Sequence, residues 1–374
     1  MSNILTINTG SGTIKLALFS VENNELQETY RVTADKLNKP YQLRIVPVNA
    51  DVIQLNFPDN TADNNFYSAA IALLIAWLNE KNINITAVSH RVVHGGIFFY
   101  EPVIINNDVI NKLISLIPLA PLHEPYNIEG IKEAQKLLPT CLQVACFDTA
   151  FHHTNPELNH YYAIPRHFEK EGIRRYGFHG LSYAYIQRQL EKNYPEIATK
   201  KVIIAHLGQG ASMCALNQGK SILNTMGFTA LDGLVMGTRC GAIDPGVLLY
   251  WMGEKKLSAG EITKILYYES GLLGLSGISN DMRILLENKS SDAQLAIDIF
   301  VQRVNQYIGL LAAELGGLDA LVFTAGIGEN APAIRDAICA RSQWIGVGTR
   351  IPVYVIPTNE EYMLAYYANE LLKR

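Results

Sequence analysis

The same uncommon connection is written twice in this chain. Near the N-terminus an apolar run, Ile4 to Ile7, stops at six small polar residues, Asn8 to Thr13, and resumes from Ile14 to Phe19. A second apolar run, Val202 to Ala205, stops at Gly208, Gln209, Gly210, Ala211 and Ser212, continues as another strand, and is followed by a further one from Ser221. A hairpin reverses with an Asn-Gly or Gly-X pair alone, so both turns hold more glycine and more small polar residues than reversal demands. Glycine lets a backbone approach a ligand closely, and successive turn N–H groups form a concave nest that suits an anion. Lys15 would reach the same anion from the second strand; taken singly, the turn also fits a loose surface hairpin. The repetition raises the phosphate reading, because two such hairpins from two similar domains can face a common cleft, and 374 residues are enough for two domains.

The intervening pattern has an α/β rhythm. It predicts a helix from about Phe66 to Asn79, a strand near Ile85 to His90, a helix from Tyr126 to Leu138 opened by Pro125, and a strand CLQVACF that runs into Asp148. A third glycine-rich stretch, Ala325 to Asn330, follows the strand DALVFT and reads as a turn that opens a helix from Ala331 to Cys339, whose N-terminus adds N–H groups and a favourable dipole. Two other patterns fail on inspection. Gly219-Lys220-Ser221 ends like a phosphate-binding P-loop, but Cys214 stands where its first glycine belongs; His90 and His94 have a zinc-pair spacing, but Arg91 replaces the glutamate of H-E-x-x-H and Val92-Val93 favours a strand.

A net charge of -4 argues against nucleic acid as the main partner. Five cysteines, odd in number and without a C-x-x-C pair, suit a reduced compartment. The sequence enters its first strand without a signal peptide's basic region, and its longest apolar stretch, Ala69 to Leu78, is too short to span a bilayer. These features predict a soluble, cytoplasmic protein with no membrane or nucleic-acid partner.

Several ionisable residues fall just past strands, where open α/β sheets present ligands. They are Arg91 and His94 in SHRVVHGG, Asp148 in CFDTAFHH, His179 in RRYGFHGLS, Arg239 and Asp244 in GTRCGAIDP, Asp281 and Arg283 in ISNDMR, and Glu360 in IPTNEE. Each alone is most simply a surface arginine, a capping aspartate or a satisfied core histidine.

Together, in order, these residues and the motifs HRVVHGG, FDTAFH, RRYGFHG, MGFT, GTRCG and GIGEN resemble the acetate kinases, the acetokinase branch of the superfamily of sugar kinases, Hsp70 and actin, over residues 8 to 361. The resemblance implies two α/β domains of the actin-like (ribonuclease H-like) type with an interdomain active-site cleft: residues 1–147, with a final helix at 361–374 packing back on them, and residues 148–360, the nucleotide-binding part. It also implies reversible phosphoryl transfer from ATP to acetate, giving acetyl phosphate and ADP, with magnesium, or manganese in its place, and a homodimer. Carried over by position, Asn8 and Glu360 would hold the metal; Ser11, Thr13 and Lys15 would face the ATP phosphates. Arg91 would grip the substrate carboxylate, Asp148 would be the catalytic acidic residue, and His179 and Arg239 would stabilise the transferring group. His206, Leu207, Gly208, Gln209 and Gly210, with Gly326, Ile327, Gly328, Glu329 and Asn330, would hold nucleotide, and Asp281, Met282 and Arg283 would border the adenosine. Val93, Leu122, Phe178 and Ala230 would line the alkyl end of the acid site.

The chemistry is consistent with those roles. A carboxylate acceptor is already ionised at neutral pH and needs no base before attack, so the difficulty is bringing one anion to another. Two arginines, a histidine, a lysine and a divalent cation answer it by neutralising charge, and this puts Asp148 in the role of orienting magnesium. The sequence departs from the family pattern at Glu124 (usually Asn), Gln209 (Asn), Ala242 (Asp), Ala230 (Pro) and Asp232 (Glu). Ala242 and Gln209 predict a lowered turnover, and Ala230 a slacker acid site. Propionate as the preferred acid, and a nucleotide-binding regulator with little turnover, are the alternatives.

Overall fold

The structure, a computed structural model, describes residues 2–10, 12–23, 25–59 and 61–374. It divides into two compact units, residues 1–151 with 359–374 and residues 152–358. Asp148 and Glu360, which the sequence reading put with the second domain, both fall in the first unit. The backbone explains this for Asp148, whose N–H donates to the Val92 carbonyl at 3.0 Å and so extends the strand pairing by one residue.

Among the described residues the first unit holds eight strands: β1 (Ser2–Thr9), β2 (Thr13–Glu22), β3 (Glu25–Asp35), β4 (Gln42–Pro47), β5 (Ile53–Asn56), β6 (Ala87–Val92), β7 (Val103–Ile104) and β8 (Leu142–Phe147). They form one sheet in the order β5-β4-β3-β2-β1-β6-β8-β7. β1, β6 and β8 are mutually parallel at its centre, whereas β1 to β5 form an antiparallel meander. Successive residues Ile4 to Ile7 of β1 are all buried, so the central strands are covered on both faces. The cover comes from α1 (Phe66–Glu80), α2 (Asn107–Leu116), α3 (Glu124–Leu137) and the C-terminal helix Glu360–Leu372, which lies along β1 and β6. Helix α3 starts two residues earlier than the sequence suggested, with Pro125 inside its first turn, where a missing N–H does no harm.

In the second unit, strands β9 (Val202–Leu207), β10 (Ala211–Asn217), β11 (Lys220–Asn224), β12 (Ala320–Thr324) and β13 (Val353–Val355) run in the order β11-β10-β9-β12-β13. Its principal helices are α4 (Gly180–Asn193), α5 (Ser291–Leu315) and α6 (Ala325–Asn330). Helix α5 buries Ala293, Ile297, Phe300, Val304, Ile308 and Leu311, one stripe at helical spacing, and stops at Gly316 in the left-handed region.

The two hairpins share a local topology. In each, the first strand pairs antiparallel with its hairpin partner and parallel with a later strand: β1 with β2 and β6, β9 with β10 and β12. The P-loop look-alike is an ordinary tight turn, because Asn217 pairs with Lys220 and Gln218 and Gly219 between them take φ of 52° and 73°. The stretch Ala325–Asn330 corrects the sequence reading: it is itself a short helix, and the following helix begins at Pro332. Three hydrogen bonds favour that choice over a loop, with Ala325 N–H donating to Glu329 Oε1 at 2.7 Å, Asn330 Nδ2 to the Gly326 carbonyl at 2.9 Å, and Arg335 to the Gly328 carbonyl at 2.9 Å.

Candidate active site

In the first unit the parallel strands β1, β6 and β8 end side by side, and Asn8 near the end of β1 and Asp148 just past β8 meet Arg91 near the end of β6. Its Nε donates to Asp148 Oδ1 at 3.0 Å and its Nη2 to Asp148 Oδ2 at 2.6 Å. Its Nη1 contacts Glu360 Oε2 at 3.2 Å and Asn8 Oδ1 at 3.4 Å. Glu360 is brought there as the first residue of the C-terminal helix, which Asn359 caps by accepting from the Tyr362 N–H at 2.9 Å. Asp148 is 2% exposed and Arg91 19% at their side chains, so the pair interacts largely without solvent screening. Burial works against the guanidinium charge, but Asp148 and then Glu360 outweigh it and hold Arg91 cationic; burial pushes the Asp148 carboxyl above its ordinary range, Arg91 pulls it back, and Glu360 adds to the upward push.

One guanidinium facing two carboxylates leaves a negative balance. Two carboxylates and an amide oxygen are the all-oxygen donor set that a hard divalent cation accepts, with phosphates and water completing its shell. The residues present therefore fit magnesium. Among the described residues no cluster of three or more His, Cys, Asp or Glu forms a metal cage.

The hairpin β1–β2 sits beside this cluster. Asn8 is directly opposite Lys15 in the ladder, which puts both side chains on one face of the sheet. The turn is closed by Gly10 N–H to the Thr13 carbonyl at 2.9 Å, the Tyr67 hydroxyl donates to the Gly10 carbonyl, and Thr13 and Lys15 are exposed. Ser11 lies outside the described residues. Val93 is buried and Leu122 half-buried in this same unit. His90 and His94 are part of the interior: His90 bonds Gln143 at 2.8 Å, and burial pushes its imidazole down to about 4.

In the second unit His179 precedes α4 in the left-handed region, φ 59°, an uncommon conformation for a residue with a side chain and one that clusters at functional sites. Its Nδ1 bonds Ser212 Oγ at 2.8 Å, and its ring stacks on that of His206 with centroids 4.2 Å apart. His206 is oriented by Ser182 through its Nδ1 at 2.8 Å, and Ser182 in turn bonds Thr358 Oγ1 at 2.8 Å. At the turn between β9 and β10 a Cβ on Gly210 would sit 3.2 Å from both His179 Nε2 and Arg239 Nη2, so the expected pair of cationic or donor groups converges on this glycine. Arg239 is aimed by its Nη1, which donates to the Ala230 carbonyl at 2.6 Å. Gly208 approaches Ala325 and Gly326, so the hairpin turn and the start of α6 are neighbours, and a Cβ on Gly326 would meet open space.

Other expected residues have local structural work. Glu329 Oε1 accepts from the N–H groups of Ala325 and Thr358, at 2.7 and 3.0 Å, and so ties the start of α6 to the backbone at Thr358. Leu207, Met282 and Phe178 are buried side chains, which leaves the backbone to make any contact of the first two with a ligand. Asp281 caps the helix Met282–Glu287 and pairs with Arg283 at 2.6 Å. Gln209 donates to the Asn280 carbonyl at 3.2 Å and thereby ties the β9–β10 turn to that segment. Ile327 and Gly328 lie inside α6. Asp244 caps the helix Pro245–Gly253. Sequence reasoning missed Ser182 and Thr358, whose only signal is proximity in the fold, and Asn127, which accepts from the Val93 N–H and donates to the Thr9 carbonyl.

The acetokinase family profile matches residues 3–350. A Methylocella silvestris protein described as acetate kinase is 46% identical over 99% of this chain and 98% of its own length. The chain belongs to the acetokinase family. Two solved structures of acetokinase homologues are similar throughout: a propionate kinase from Francisella tularensis, 39% identical with a TM-score of 0.90 over 99% of this chain and 100% of that one, and Porphyromonas gingivalis acetate kinase, 34% identical with a TM-score of 0.88 over 100% of each. The fold is thus the α/β, two-domain actin-like fold of acetokinases, and the chain is an enzyme of the kinase class.

Proposed function

We propose that this protein transfers the γ-phosphoryl group of ATP to acetate, reversibly, giving acetyl phosphate and ADP. The observation that carries the reading is the meeting of Arg91, Asp148, Glu360 and Asn8 at the carboxyl ends of three parallel strands, in a chain so similar to an acetate kinase along its whole length. An acetate oxygen attacks the γ-phosphorus as the bond to the β,γ-bridging oxygen breaks. The acid is ionised beforehand, so no proton has to be removed. Arg91 supplies a planar fork for the carboxylate. His179 and Arg239, turned toward Gly210, offset charge gathering on the transferring group, and the turn at His206 to Gly210 with Thr13 and Lys15 receives the nucleotide phosphates. Gly326–Asn330 and Asp281–Arg283 border the rest of the nucleotide, and Val93, Leu122, Phe178 and Ala230 the alkyl end of the acid.

Asn8, Asp148 and Glu360 would hold magnesium. When bound, that ion adds positive charge to the phosphate oxygens.

Acetate is the preferred acid and propionate follows closely, because an added methylene is worth only about 1–3 kcal/mol even in a tight apolar site, and Ala230 is smaller and less rigid than the proline usual there. The protein acts in the cytoplasm, with its five cysteines as free thiols; no helix among the described residues is long and apolar enough to cross a membrane. It pairs as a homodimer through the helix Pro245–Gly253, in which six of nine residues are large apolar or aromatic and none is buried.

The test is the reverse reaction: acetyl phosphate and ADP, with and without magnesium, followed by ATP formation. Metal-dependent ATP production supports the proposal, and none under any metal condition would overturn it.

A further inference from the structure

Glu124 is the first residue of α3 and is fully buried. Its Oε1 accepts from the His94 N–H at 2.7 Å, and its Oε2 has no hydrogen-bond partner among the described residues. One turn further along the same helix face, Asn127 Oδ1 accepts from the Val93 N–H at 3.1 Å while its Nδ2 donates to the Thr9 carbonyl at 3.0 Å. The first turn of α3 thus holds the backbone that leaves β6 just beyond Arg91 and the end of β1 just beyond Asn8. An ionised carboxylate with one bare oxygen in such a place is strongly disfavoured, whereas the neutral acid keeps its proton on the bare oxygen and still accepts from His94.

We infer that Glu124 is a positioning residue of the carboxylate-binding strand that works as an uncharged acid, fixing the backbone beside Arg91; the inference rests on the reading of Arg91 as the substrate's grip. The surrounding charges agree. From β6, His90 is bonded to Gln143 and neutral, and Arg91 is committed to Asp148 and Glu360. His94 offers no cation, because its Nδ1 accepts from the Gly96 N–H at 2.9 Å. On α2, Asp108 and Lys112 pair with each other at 2.8 Å; α1 brings Tyr67 and Glu80, and β1 brings no titratable group. On α3 itself, Tyr126, Glu129, Lys132, Glu133 and Lys136 follow, and His123 precedes it. Burial, opposed by the His94 N–H and reinforced by Asp148, pushes the Glu124 carboxyl up to about 8.

Ionisation would place a new negative charge beside a site that takes an anion. The experiment measures KM for acetate and for ATP against pH in the wild type, Glu124→Gln and Glu124→Asn, together with infrared difference spectra and amide exchange at His94. The wild-type KM for acetate should climb above about pH 8, by up to about tenfold per pH unit, with KM for ATP nearly constant. Both neutral variants should lose that climb. The wild type should show a protonated-carboxyl band at neutral pH that vanishes on passing the same pH and is missing in Glu124→Gln, while the His94 amide, corrected for its intrinsic exchange, stays protected on both sides of that pH because a carboxylate accepts its N–H at least as well as the acid does. The same alkaline climb in Glu124→Gln, or no such band at neutral pH, would overturn the inference. A wild type without acyl-phosphate chemistry defeats the proposed function instead, and the infrared and exchange measurements on the wild type still decide the state and the holding role of Glu124 even where a variant does not fold.

Discussion

Arg91 has five N–H donors, and its neighbours engage them on three sides: Asp148 takes Nε and Nη2, while Glu360 and Asn8 share Nη1. Arg91→Ala would leave Asp148 and Glu360 facing one another with no cation between them. Removing one partner of a buried ion pair costs about 3–5 kcal/mol, and removing one electrostatic stabiliser costs about a hundredfold or more in rate. The variant should therefore lose thermal stability and at least about a hundredfold in kcat/KM, whereas Arg91→Lys should recover stability more than activity, since a lysine has charge but no fork. Thermal unfolding and steady-state kinetics on both variants check this. At Glu124 the sign runs differently. The unfolded carboxyl releases its proton near 4.5 and the folded one near 8, so between those values the folded state holds a proton that the unfolded state has lost, and stability falls as pH rises across the window. Glu124→Gln has no such proton, so its Tm relative to wild type should increase from about pH 5 to about pH 8 and level off above; a difference independent of pH would refute the assignment.

The hairpins β1–β2 and β9–β10 were legible because their flanking strands are apolar and their turns carry more glycine than a reversal needs. Strands β3 to β5 were not, because ELQETYRVTAD is polar at most positions and half-exposed, and its pairing comes from antiparallel extension of the sheet, which no local apolar pattern announces. Ala325–Asn330 was misread for a related reason: two glycines argue against helix by propensity, but Glu329 and Asn330 bond back to their own first turn. Site residues at strand ends were readable from position and type, whereas Ser212 and Ser182 become partners of His179 and His206 only through tertiary packing. The turn of β9–β10 makes a sharp prediction. Gly210→Ala adds one methyl within 3.2 Å of His179 Nε2 and Arg239 Nη2, closer than most real contacts, at a place where no left-handed backbone is required. Folding should survive with a small change in Tm, while kcat should drop by about tenfold or more, the scale of misplacing one positioned group; an unchanged kcat would separate these two side chains from the chemistry.

At the scale of the molecule, an unburied helix this apolar suits an interface better than water. Leu249 is 69% exposed, and Tyr250 and Met252 are each 53% exposed. If the homodimer forms there, Leu249→Asp should convert it to monomer in sedimentation or light scattering while leaving the secondary structure intact; a persistent dimer would move the interface elsewhere. The two units also divide the residues proposed for the site: Arg91, Asp148, Glu360 and Asn8 belong to the first, and His179, Arg239 and the second hairpin to the second. The family relationship and these two sets of side chains support one reaction, and that reaction can be read directly by trapping acyl phosphate with hydroxylamine. Purified protein is given ATP and magnesium with formate, acetate, propionate or butyrate, and kcat/KM is taken for each acid, with Arg91→Ala alongside. Acyl hydroxamate should form from acetate at the highest kcat/KM, with propionate close behind and at least about a hundredfold loss in Arg91→Ala; no hydroxamate from any of the four acids would overturn the assignment of acyl-phosphate chemistry to this protein.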